Sequence, residues 1–392
     1  MLEGVRVIEL GNFITGPLAA MMLADLGAEV IKVERPQGDP FRRGPGSTYG
    51  PAFVAYNRNK KSVVIDTHTP EGRADLLALS DTADVLIDNF RPGVIEKLGL
   101  APDVLRARNP RLIQCSITGF GAKGPYRDRP AFDTVGQALS GVASFLIEPD
   151  APESFGPTVA DNATGMYAAY GVMGALVERG RTGQGRRIEV NMLESAMTFI
   201  QDAYTNFTMA GIVGSKYSRI VRSQCFAFRC ADDRLIGIHL STTEKFWREL
   251  VETLGATELL EDERFRTHQT RVGHYHLLKD LLGARFLTRP RGEWMALLDQ
   301  SDVPFSPIHN VKEALEDPQV VALGVAVEME HPQMGKVTSV ACPLLVDGAR
   351  PMAQMQAPPM IGEHTQEVLG ALGRGAAFAA VGSRQSEQVF AS

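Results

Sequence analysis

Residues 5–34 read VRVIELGNFITGPLAAMMLADLGAEVIKVE, and this stretch decides the fold. The apolar run Val5–Leu10 predicts a short strand, and Pro17 fits the first position of a helix whose body is predicted over Leu18–Leu26. Glu29–Glu34 predicts a second strand. A strand, a loop, a helix and a second strand in this order are typical of a βαβ unit. We therefore expect a parallel sheet with helices on both faces.

Further βαβ units follow along the chain, and the pattern then changes. The next predicted strands are Ser62–Asp66, Val85–Asp88, Leu112–Ile117 and Arg187–Asn191, and the predicted helices are Thr69–Ser80, Gly93–Leu98, Asn162–Arg179 and Met192–Gly211. Beyond about residue 213, Gln224–Cys230 and Leu235–His239 alternate as an antiparallel hairpin does, and mostly helical segments follow. We predict an α/β protein with a large domain over 1–220, a smaller α+β domain over 221–330, and a return to the large domain with a C-terminal tail over 331–392.

The composition is that of an ordinary globular protein, and it limits the possible partners. Of the 392 residues, 44% are hydrophobic and 22% are charged, and the net charge of −6 gives no general attraction to nucleic acid or anionic membranes. The four cysteines are too scattered for a disulfide framework or a zinc site, and no apolar run approaches the length that spans a bilayer. We expect a cytoplasmic protein without a signal peptide, a bound metal, or nucleic-acid or membrane partners.

The first loop contains two glycines but does not fit a dinucleotide-binding loop. Gly11 and Gly16 are separated by four residues, and the middle glycine of the G-x-G-x-x-G pattern is missing. That glycine lets the backbone approach the pyrophosphate of a dinucleotide. The sequence therefore argues against a nicotinamide cofactor.

Cations and amides gather in the loops at one predicted edge of the sheet. Arg35 follows the second strand, Lys60 lies in the loop before the third, Asn89-Phe90-Arg91 follow the fourth, and Lys97 lies one turn further on. Most lysines and arginines in loops are simply solvated. Because three such loops share one edge in a chain that is acidic overall, we favour a local polyanion site, with Phe90 as a surface on which a base could stack.

One carboxylate stands at the start of a long predicted helix. The helix predicted over Asn162–Arg179 makes Asp161 its N-cap, where backbone N–H groups and the helix dipole keep a carboxylate ionised. An ionised carboxylate can act as a covalent nucleophile. The plainer interpretation is that Asp161 only caps the helix, since Asp is a preferred cap residue.

Several collinear segments resemble the class III CoA-transferases, the family that includes formyl-CoA transferase and carnitine CoA-transferase. The resemblance covers nearly the whole chain. The segments that carry it are residues 2–39, YNRNKKSVVIDTHTPEG (56–72), DNFRPGVIEKLGL (88–100), NPRLIQCSITGFGAKGPYRDRPAFD (109–133), VADNATGMYAAYGVMGALVERGRTGQGRRIEVNMLESA (159–196) and IGEHTQEVL (361–369).

The resemblance implies both a mechanism and an architecture. In that family an aspartate at the position of Asp161 forms covalent acyl and CoA adducts. A CoA thioester would be the substrate, with no permanently bound cofactor. The residues that match the family's CoA site are Ile14, Thr15, Arg35, Lys60, Asn89, Phe90, Arg91, Lys97, Phe132 and Asp133. The family fold is an interlocked homodimer whose subunits each have a Rossmann-like large domain and a smaller domain.

A carboxylate suits this chemistry, because it can attack a thioester to give a mixed anhydride and a thiolate. We predict CoA transfer between an acyl-CoA and a carboxylic acid, with a preference for dicarboxylic acids and succinyl-CoA. One alternative is a 2-methylacyl-CoA racemase-like isomerase, which needs an acid–base pair in which Phe132 cannot serve. A second is a catalytically idle CoA-binding or scaffold protein. Arg42 or Arg43 could hold the acceptor carboxylate by a bidentate contact.

Overall fold

The chain forms two compact units. The computed structural model describes residues 1–43, 49–148, 150–351 and 355–374, so most of the predicted C-terminal tail lies outside the described residues. The large unit contains residues 1–143, 155–201 and 324–392, and the small unit contains 144–154 and 202–323. Residues 144–154 and 202–220, which the sequence analysis assigned to the large domain, belong to the small unit, and residues 324–330, assigned to the small domain, belong to the large unit.

A six-stranded parallel sheet forms the centre of the large unit, as the βαβ pattern predicts. Its strands are β1 (Arg6–Glu9), β2 (Glu29–Glu34), β3 (Lys60–Val64), β4 (Val85–Asp88), β5 (Ile113–Thr118) and β6 (Arg187–Asn191). Their order is β3-β2-β1-β4-β5-β6, with Val7 of β1 opposite Val30 on one side and Val85 on the other. The strand order reverses between β1 and β4. In open parallel sheets, ligands bind where the carboxyl ends of the strands flank this reversal.

Helices cover both faces of this sheet. The α-helices of the large unit are Thr15–Asp25, Pro51–Tyr56, Pro70–Asp81, Val94–Lys97, Pro102–Arg108, Asp133–Leu139, Val159–Thr182, Met192–Met197 and Thr365–Gly370. Short 3₁₀ turns lie at Pro40–Arg42 and Thr198–Ile200. An antiparallel hairpin of Ala326–His331 and Gly335–Val340 also belongs to the large unit.

The predicted helix Met192–Gly211 is divided in the structure. The first α-helix ends at Met197, a 3₁₀ turn covers Thr198–Ile200, and a second helix runs over Gln201–Ala210. The hydroxyl of Thr198 donates to the carbonyl of Ser195 at 2.6 Å. Such local side-chain hydrogen bonds bend helices, and the division coincides with the boundary between the two units.

Small residues allow two helices to pack closely on one face of the sheet. Alanines in Thr15–Asp25 and Val159–Thr182 are fully buried in a core shared with β1 and β4. A Cβ atom at Gly165 would lie 2.9 Å from the side chain of Leu18, so only glycine fits at this crossing. The start of the Val159–Thr182 helix is thereby held against the first βα segment.

The small unit is an α+β body around an aromatic core. Its antiparallel sheet has the order β7 (Cys225–Arg229), β8 (Leu235–His239) and β9 (Phe305–Ile308). Helices in this part of the chain are Lys216–Arg222, Glu244–Thr253, Glu258–Glu261, His268–Gly273, Tyr275–Phe286, Arg291–Leu298, Val311–Glu316 and Pro318–Ala322. The β7–β8 hairpin was expected from its alternation. The sequence analysis missed β9, because Pro307 makes its four residues atypical of a strand.

Residues near the end of the large unit cover the open edge of β3. Ser62 donates its backbone N–H to the His364 ring at 3.3 Å and accepts a hydrogen bond from the backbone N–H of His364 at 2.9 Å. The backbone N–H of Val64 donates to the hydroxyl of Thr365 at 3.0 Å. Backbone groups that an edge strand leaves unpaired are thus satisfied within the chain. In the described part of the chain, no helix is both long and apolar enough to cross a membrane.

A buried ionic network joins the carboxyl ends of β1 and β2 to neighbouring loops. The ammonium of Lys32 lies 2.9 Å from Glu9 and 2.9 Å from Asp39, and all three side chains are fully buried. Glu9 also pairs with Lys60 at 2.9 Å. Burial alone would lower the pKa of Lys32, but the carboxylates of Glu9, Asp39 and Glu34 together raise it, so Lys32 stays charged.

We expect Lys32→Met to reduce the free energy of unfolding by about 3–5 kcal/mol, because it leaves Glu9 and Asp39 as buried charges without this partner. The measurement is equilibrium denaturation in urea. Lys61→Met is the matched control, since Lys61 pairs with Glu29 and Glu367 in a half-exposed position and its loss should change stability by about 1 kcal/mol or less. Equal effects of the two substitutions would contradict the role of the buried network.

Candidate active site

A cavity of about 280 Å³ opens at the carboxyl ends of the strands beside the reversal of strand order. Loops that follow β1, β4 and β5 form most of its wall. The lining residues are Asn12, Phe13, Ile14, Thr15, Asn89, Phe90, Arg91, Pro92, Ile117, Thr118, Gly119, Arg127, Arg129, Pro130, Ala131, Phe132, Asp161 and Met192. Of these described lining residues, Asp161 alone carries a carboxylate.

Hydrogen bonds from Asn89, in the loop after β4, fix the loop after β1, which forms part of the cavity wall. The side-chain oxygen of Asn89 accepts from the backbone N–H of Asn12 at 3.0 Å, and its amide group donates to the carbonyl of Asn12 at 2.7 Å. The same amide donates to the hydroxyl of Thr15 at 3.0 Å. A Cβ atom at Gly11 would lie 3.0 Å from Cα of Gly16, so the two glycines serve the tight turn of this loop.

The buried ionic network also holds the loop after β1. Lys32 donates to the carbonyl of Gly11 at 2.8 Å, and Lys60 donates to the carbonyl of Pro17 at 2.8 Å, so the two ammonium groups hold the loop at both ends. Between them Phe13 adopts a φ of 63°, a left-handed conformation that is uncommon for a bulky residue. Its ring packs edge-on against Phe132, with 5.8 Å between the ring centroids.

Asp161 lies inside its helix rather than at the N-cap. The helix begins at Val159, with Thr158 as the N-cap, so Asp161 is the third helical residue. Its backbone N–H donates to Asp133 at 3.1 Å. Asp133 in turn accepts from the side-chain amide of Gln137 at 2.5 Å, and that amide also donates to the carbonyl of Pro157 at 2.9 Å. These contacts fix the first turn of the helix.

The expectation that Asp161 is held ionised by its helix is wrong for this structure. Burial of the Asp161 carboxyl, and then the nearby charge of Asp133, raise its pKa to about 7. Two carboxylates that share a site disfavour the second ionisation. Near neutral pH Asp161 therefore exchanges between the acid and the carboxylate.

Comparison with known proteins places this geometry in a family. The model of CoA-transferase family III matches residues 2–365. The chain belongs to CoA-transferase family III. It is therefore an enzyme that transfers CoA between an acyl-CoA and a carboxylic acid.

The similarity to known proteins covers nearly the whole chain. Succinyl-CoA:glutarate CoA-transferase of Mus musculus is 35% identical over 377 residues, covering 94% of this chain and 85% of the mouse protein. Succinate–glutarate CoA-transferase of Agrobacterium fabrum is 35% identical over 390 residues, covering 95% of each chain. The crystal structure of a CAIB/BAIF family protein from Brucella suis superimposes with a TM-score of 0.85 at 32% identity, over 95% of this chain and 99% of that one.

The cavity of this CoA-transferase brings together most of the residues that the sequence analysis assigned to the site. Ile14, Thr15, Asn89, Phe90, Arg91, Phe132 and Asp161 all line it. Asp133 lies behind Asp161 and does not line the cavity. Arg35 and Lys97 are exposed outside the lining, and no partner within the described chain pairs with either. Phe90 is partly buried against the core on one face of the sheet.

Two predicted ligand contacts, those of Lys60 and Arg42, conflict with the structure because both cations are already paired with buried carboxylates. Lys60 is fully buried and donates to Glu9, Pro17 and Asn57, so its three N–H groups are used and none remains for a phosphate. Burial outweighs the attraction of Glu9 and lowers the pKa of Lys60 to about 8. Arg42 is also buried and makes a bidentate pair with Glu34, at 2.7 and 2.6 Å, so it cannot hold an acceptor carboxylate.

The sequence analysis did not assign Phe13, Arg127, Arg129 or Met192 to the site, although all four line the cavity. The signal for the two arginines was the run Arg127-Asp128-Arg129-Pro130, directly before a segment that was assigned. No cluster of three or more His, Cys, Asp or Glu side chains able to hold a metal ion occurs among the residues that the structure describes.

We expect kcat/KM for CoA transfer to rise with pH through about 7, because the sequence analysis predicts the Asp161 carboxylate as the nucleophile and the pKa of this group is raised to about 7. Asp133→Asn removes one of the two causes of this shift but keeps an oxygen that can accept from the Asp161 N–H. The acid limb of the profile should then move to lower pH. Asp103→Asn, far from the cavity at the amino ends of the strands, is the control, and an unmoved limb in Asp133→Asn would contradict the coupling.

Proposed function

We propose that this enzyme transfers CoA between dicarboxylic acids, with succinyl-CoA as a donor and Asp161 as the covalent nucleophile. The observation that carries the nucleophile assignment is that Asp161 is the one carboxylate among the described residues of the cavity wall. The mouse and Agrobacterium relatives are named for succinyl and glutarate substrates, which supports the dicarboxylate class. A relative from Chloroflexus aurantiacus, 34% identical, is named for succinyl-CoA and D-citramalate.

The proposed reaction proceeds through four exchanges at one carboxylate. An oxygen of Asp161 attacks the thioester carbonyl, the C–S bond breaks, and the CoA thiolate leaves a mixed anhydride. The thiolate then attacks the aspartyl carbonyl, the anhydride C–O bond breaks, and the donor acid departs as a carboxylate. The acceptor carboxylate reverses both steps, so that Asp161 is regenerated and no net proton is taken up. Each covalent step replaces one acyl bond by another, which divides a difficult exchange into easier ones.

The remaining site residues are proposed to hold the CoA moiety. Ile14 and Thr15 present the fixed first loop, while Asn89, Phe90 and Arg91 present the loop after β4. Arg35 and Lys97, exposed beyond the cavity, would reach the phosphates of the nucleotide end. Asp133 is proposed to position Asp161 rather than to touch CoA, because both of its oxygens are occupied. Lys60 is not part of the proposed CoA site.

Incubation with succinyl-CoA should modify the peptide that contains Asp161 after trapping with hydroxylamine or borohydride, as detected by mass spectrometry. Asp161→Ala should lose transfer by at least about 1,000-fold, because the covalent route is closed. Asp103→Ala is the matched control and should keep the wild-type rate. Substantial transfer by Asp161→Ala would show that the nucleophile is another group.

A chiral 2-methylacyl-CoA incubated in D₂O separates transfer from isomerisation. Racemisation would place deuterium at C2 and needs two proton-transferring groups at that carbon. Phe132 lines the cavity with 63% of its surface exposed and has no exchangeable proton. Deuterium at C2, incorporated as fast as CoA is transferred, would overturn the transferase assignment of this site.

We also propose that the enzyme is a homodimer, interlocked as in the family it belongs to. Along the helix Val159–Thr182, Met166, Tyr170 and Val177 are 52%, 71% and 67% exposed. Their spacing places them on one side of the helix. Neighbouring exposed apolar side chains of this size are typical of an interaction surface.

The wild-type enzyme should sediment as a dimer at nanomolar concentration, since an interlocked pair has no stable folded monomer. Tyr170→Glu places a charge in the apolar surface and should shift the population toward monomer or unfolded chain. Arg181→Glu, an exposed charge reversal at the end of the same helix, should leave the dimer intact. A folded and active wild-type monomer would contradict the proposal.

A further inference from the structure

We propose that Arg129 determines substrate specificity by binding the distal carboxylate of a dicarboxylic acyl group while the other end reacts at Asp161. This inference rests on the proposed dicarboxylate transfer and deepens it. Arg129 and Asp161 line the same cavity, and Arg129 lies in the loop between β5 and the helix Asp133–Leu139.

The loop that carries Arg129 has a closed base. A Cβ atom at Gly119 would lie 2.4 Å from Cβ of Ala131, so the two ends of the loop touch and glycine is required there. Near its end, the backbone N–H of Arg129 donates to the carbonyl of Tyr126 at 2.9 Å, which closes a tight turn. The backbone of Arg129 is thus placed beside the cavity by short-range contacts.

An aromatic platform orients the guanidinium group. The central carbon of the Arg129 guanidinium lies 3.8 Å from the centroid of the Tyr126 ring, and that ring packs edge-on against Phe120 at 6.1 Å. Stacking uses the face of the guanidinium and leaves the N–H groups at its rim available. A planar group held in this way is suited to a bidentate contact with a carboxylate.

Arg129 has no carboxylate partner within the described chain, whereas nearby Arg127 does. The Nε atom of Arg127 lies 3.3 Å from a carboxylate oxygen of Asp128, and this ion pair partly neutralises the charge of Arg127. The sole carboxylate of the described cavity wall is Asp161, whose role as nucleophile requires it to face the thioester. A ligand with a second negative group would therefore supply the partner that Arg129 lacks.

The position of the cavity favours the acyl end of the substrate over the phosphates of CoA. A cavity of about 280 Å³ is near the lower limit for small-molecule sites and accepts the reacting end of an acyl-CoA rather than the whole molecule. Asp161 fixes the reacting carbonyl within it. The exposed cations Arg35 and Lys97 lie outside the lining and are the better candidates for the nucleotide end.

Donor and acceptor should depend on Arg129 equally. Each acid forms an anhydride with the same carboxyl group of Asp161, so both acyl chains occupy the same space in successive half-reactions. One guanidinium can therefore select both substrates, and a dicarboxylate will be preferred on each side of the exchange.

The test compares glutarate with pentanoate, which has the same chain length but no distal carboxylate, as acceptors for CoA from succinyl-CoA. Arg129→Gln should lower kcat/KM for glutarate relative to pentanoate by about 10- to 150-fold, the range expected for loss of a charged hydrogen-bonded contact. Arg129→Lys keeps the charge but loses the bidentate geometry and should be intermediate. Arg106→Gln, an exposed arginine near the amino ends of the strands, is the control and should keep the wild-type ratio.

Arg129 could bind either the distal carboxylate of the substrate or a phosphate of CoA. Binding of desulfo-CoA, measured by calorimetry, distinguishes the two. Unchanged desulfo-CoA affinity in Arg129→Gln, together with the altered ratio, supports the inference. Weaker desulfo-CoA binding with equal losses for both acids shows that Arg129 contacts a CoA phosphate and overturns it. A wild-type preference for glutarate that survives Arg129→Gln overturns this inference alone. A wild-type enzyme that prefers pentanoate overturns the proposed dicarboxylate function as well.

Discussion

The position of the ammonium group of Lys32 between Glu9 and Asp39 is the constraint on which the active-site end of the sheet depends. Three neighbouring cations, Lys32, Lys60 and Arg42, balance Glu9, Asp39 and Glu34 in a region from which water is excluded. Each charge is tolerated only because the others are present, so the whole group must assemble together. In doing so it positions the backbone at Gly11 and Pro17, and through Arg42 it binds the carbonyl of Pro359 at 3.0 Å.

The structure brings Asp161, the proposed nucleophile, to this fixed loop through close helix packing. Gly165 allows the helix Val159–Thr182 to rest on Leu18, which places the first turn of that helix at the carboxyl ends of the strands. Asp133 then fixes Asp161 through the backbone rather than through its reactive oxygens. Burial of the carboxyl group, and then the charge of the same neighbour, raise the pKa of Asp161, so the ionised carboxylate is rarer at neutral pH but more basic once it forms.

Local periodicity was sufficient to predict the parallel sheet, because each βαβ unit carries its own strand, helix and turn residues. It could not predict which charges would be buried. In the sequence Lys60 resembles an exposed loop cation, and only the fold shows that its ammonium group is paired with Glu9, 51 positions earlier. Arg42 was misjudged for the same reason, since its partner Glu34 lies on another element. The proposed role of Arg129 depends on its stacking on Tyr126 and on a cavity wall formed by several distant segments. The sequence pattern alone predicts neither of these.

The cover on the edge of β3 has a consequence for the way in which the chain matures during synthesis. His364 and Thr365 supply the groups that satisfy this strand, yet they emerge from the ribosome about 300 residues after it. The small unit, residues 202–323, emerges in the interval and has its own core. The nascent large unit must therefore wait with one strand edge exposed, and a chain cut short before residue 365 would keep an edge of the kind that pairs with other chains.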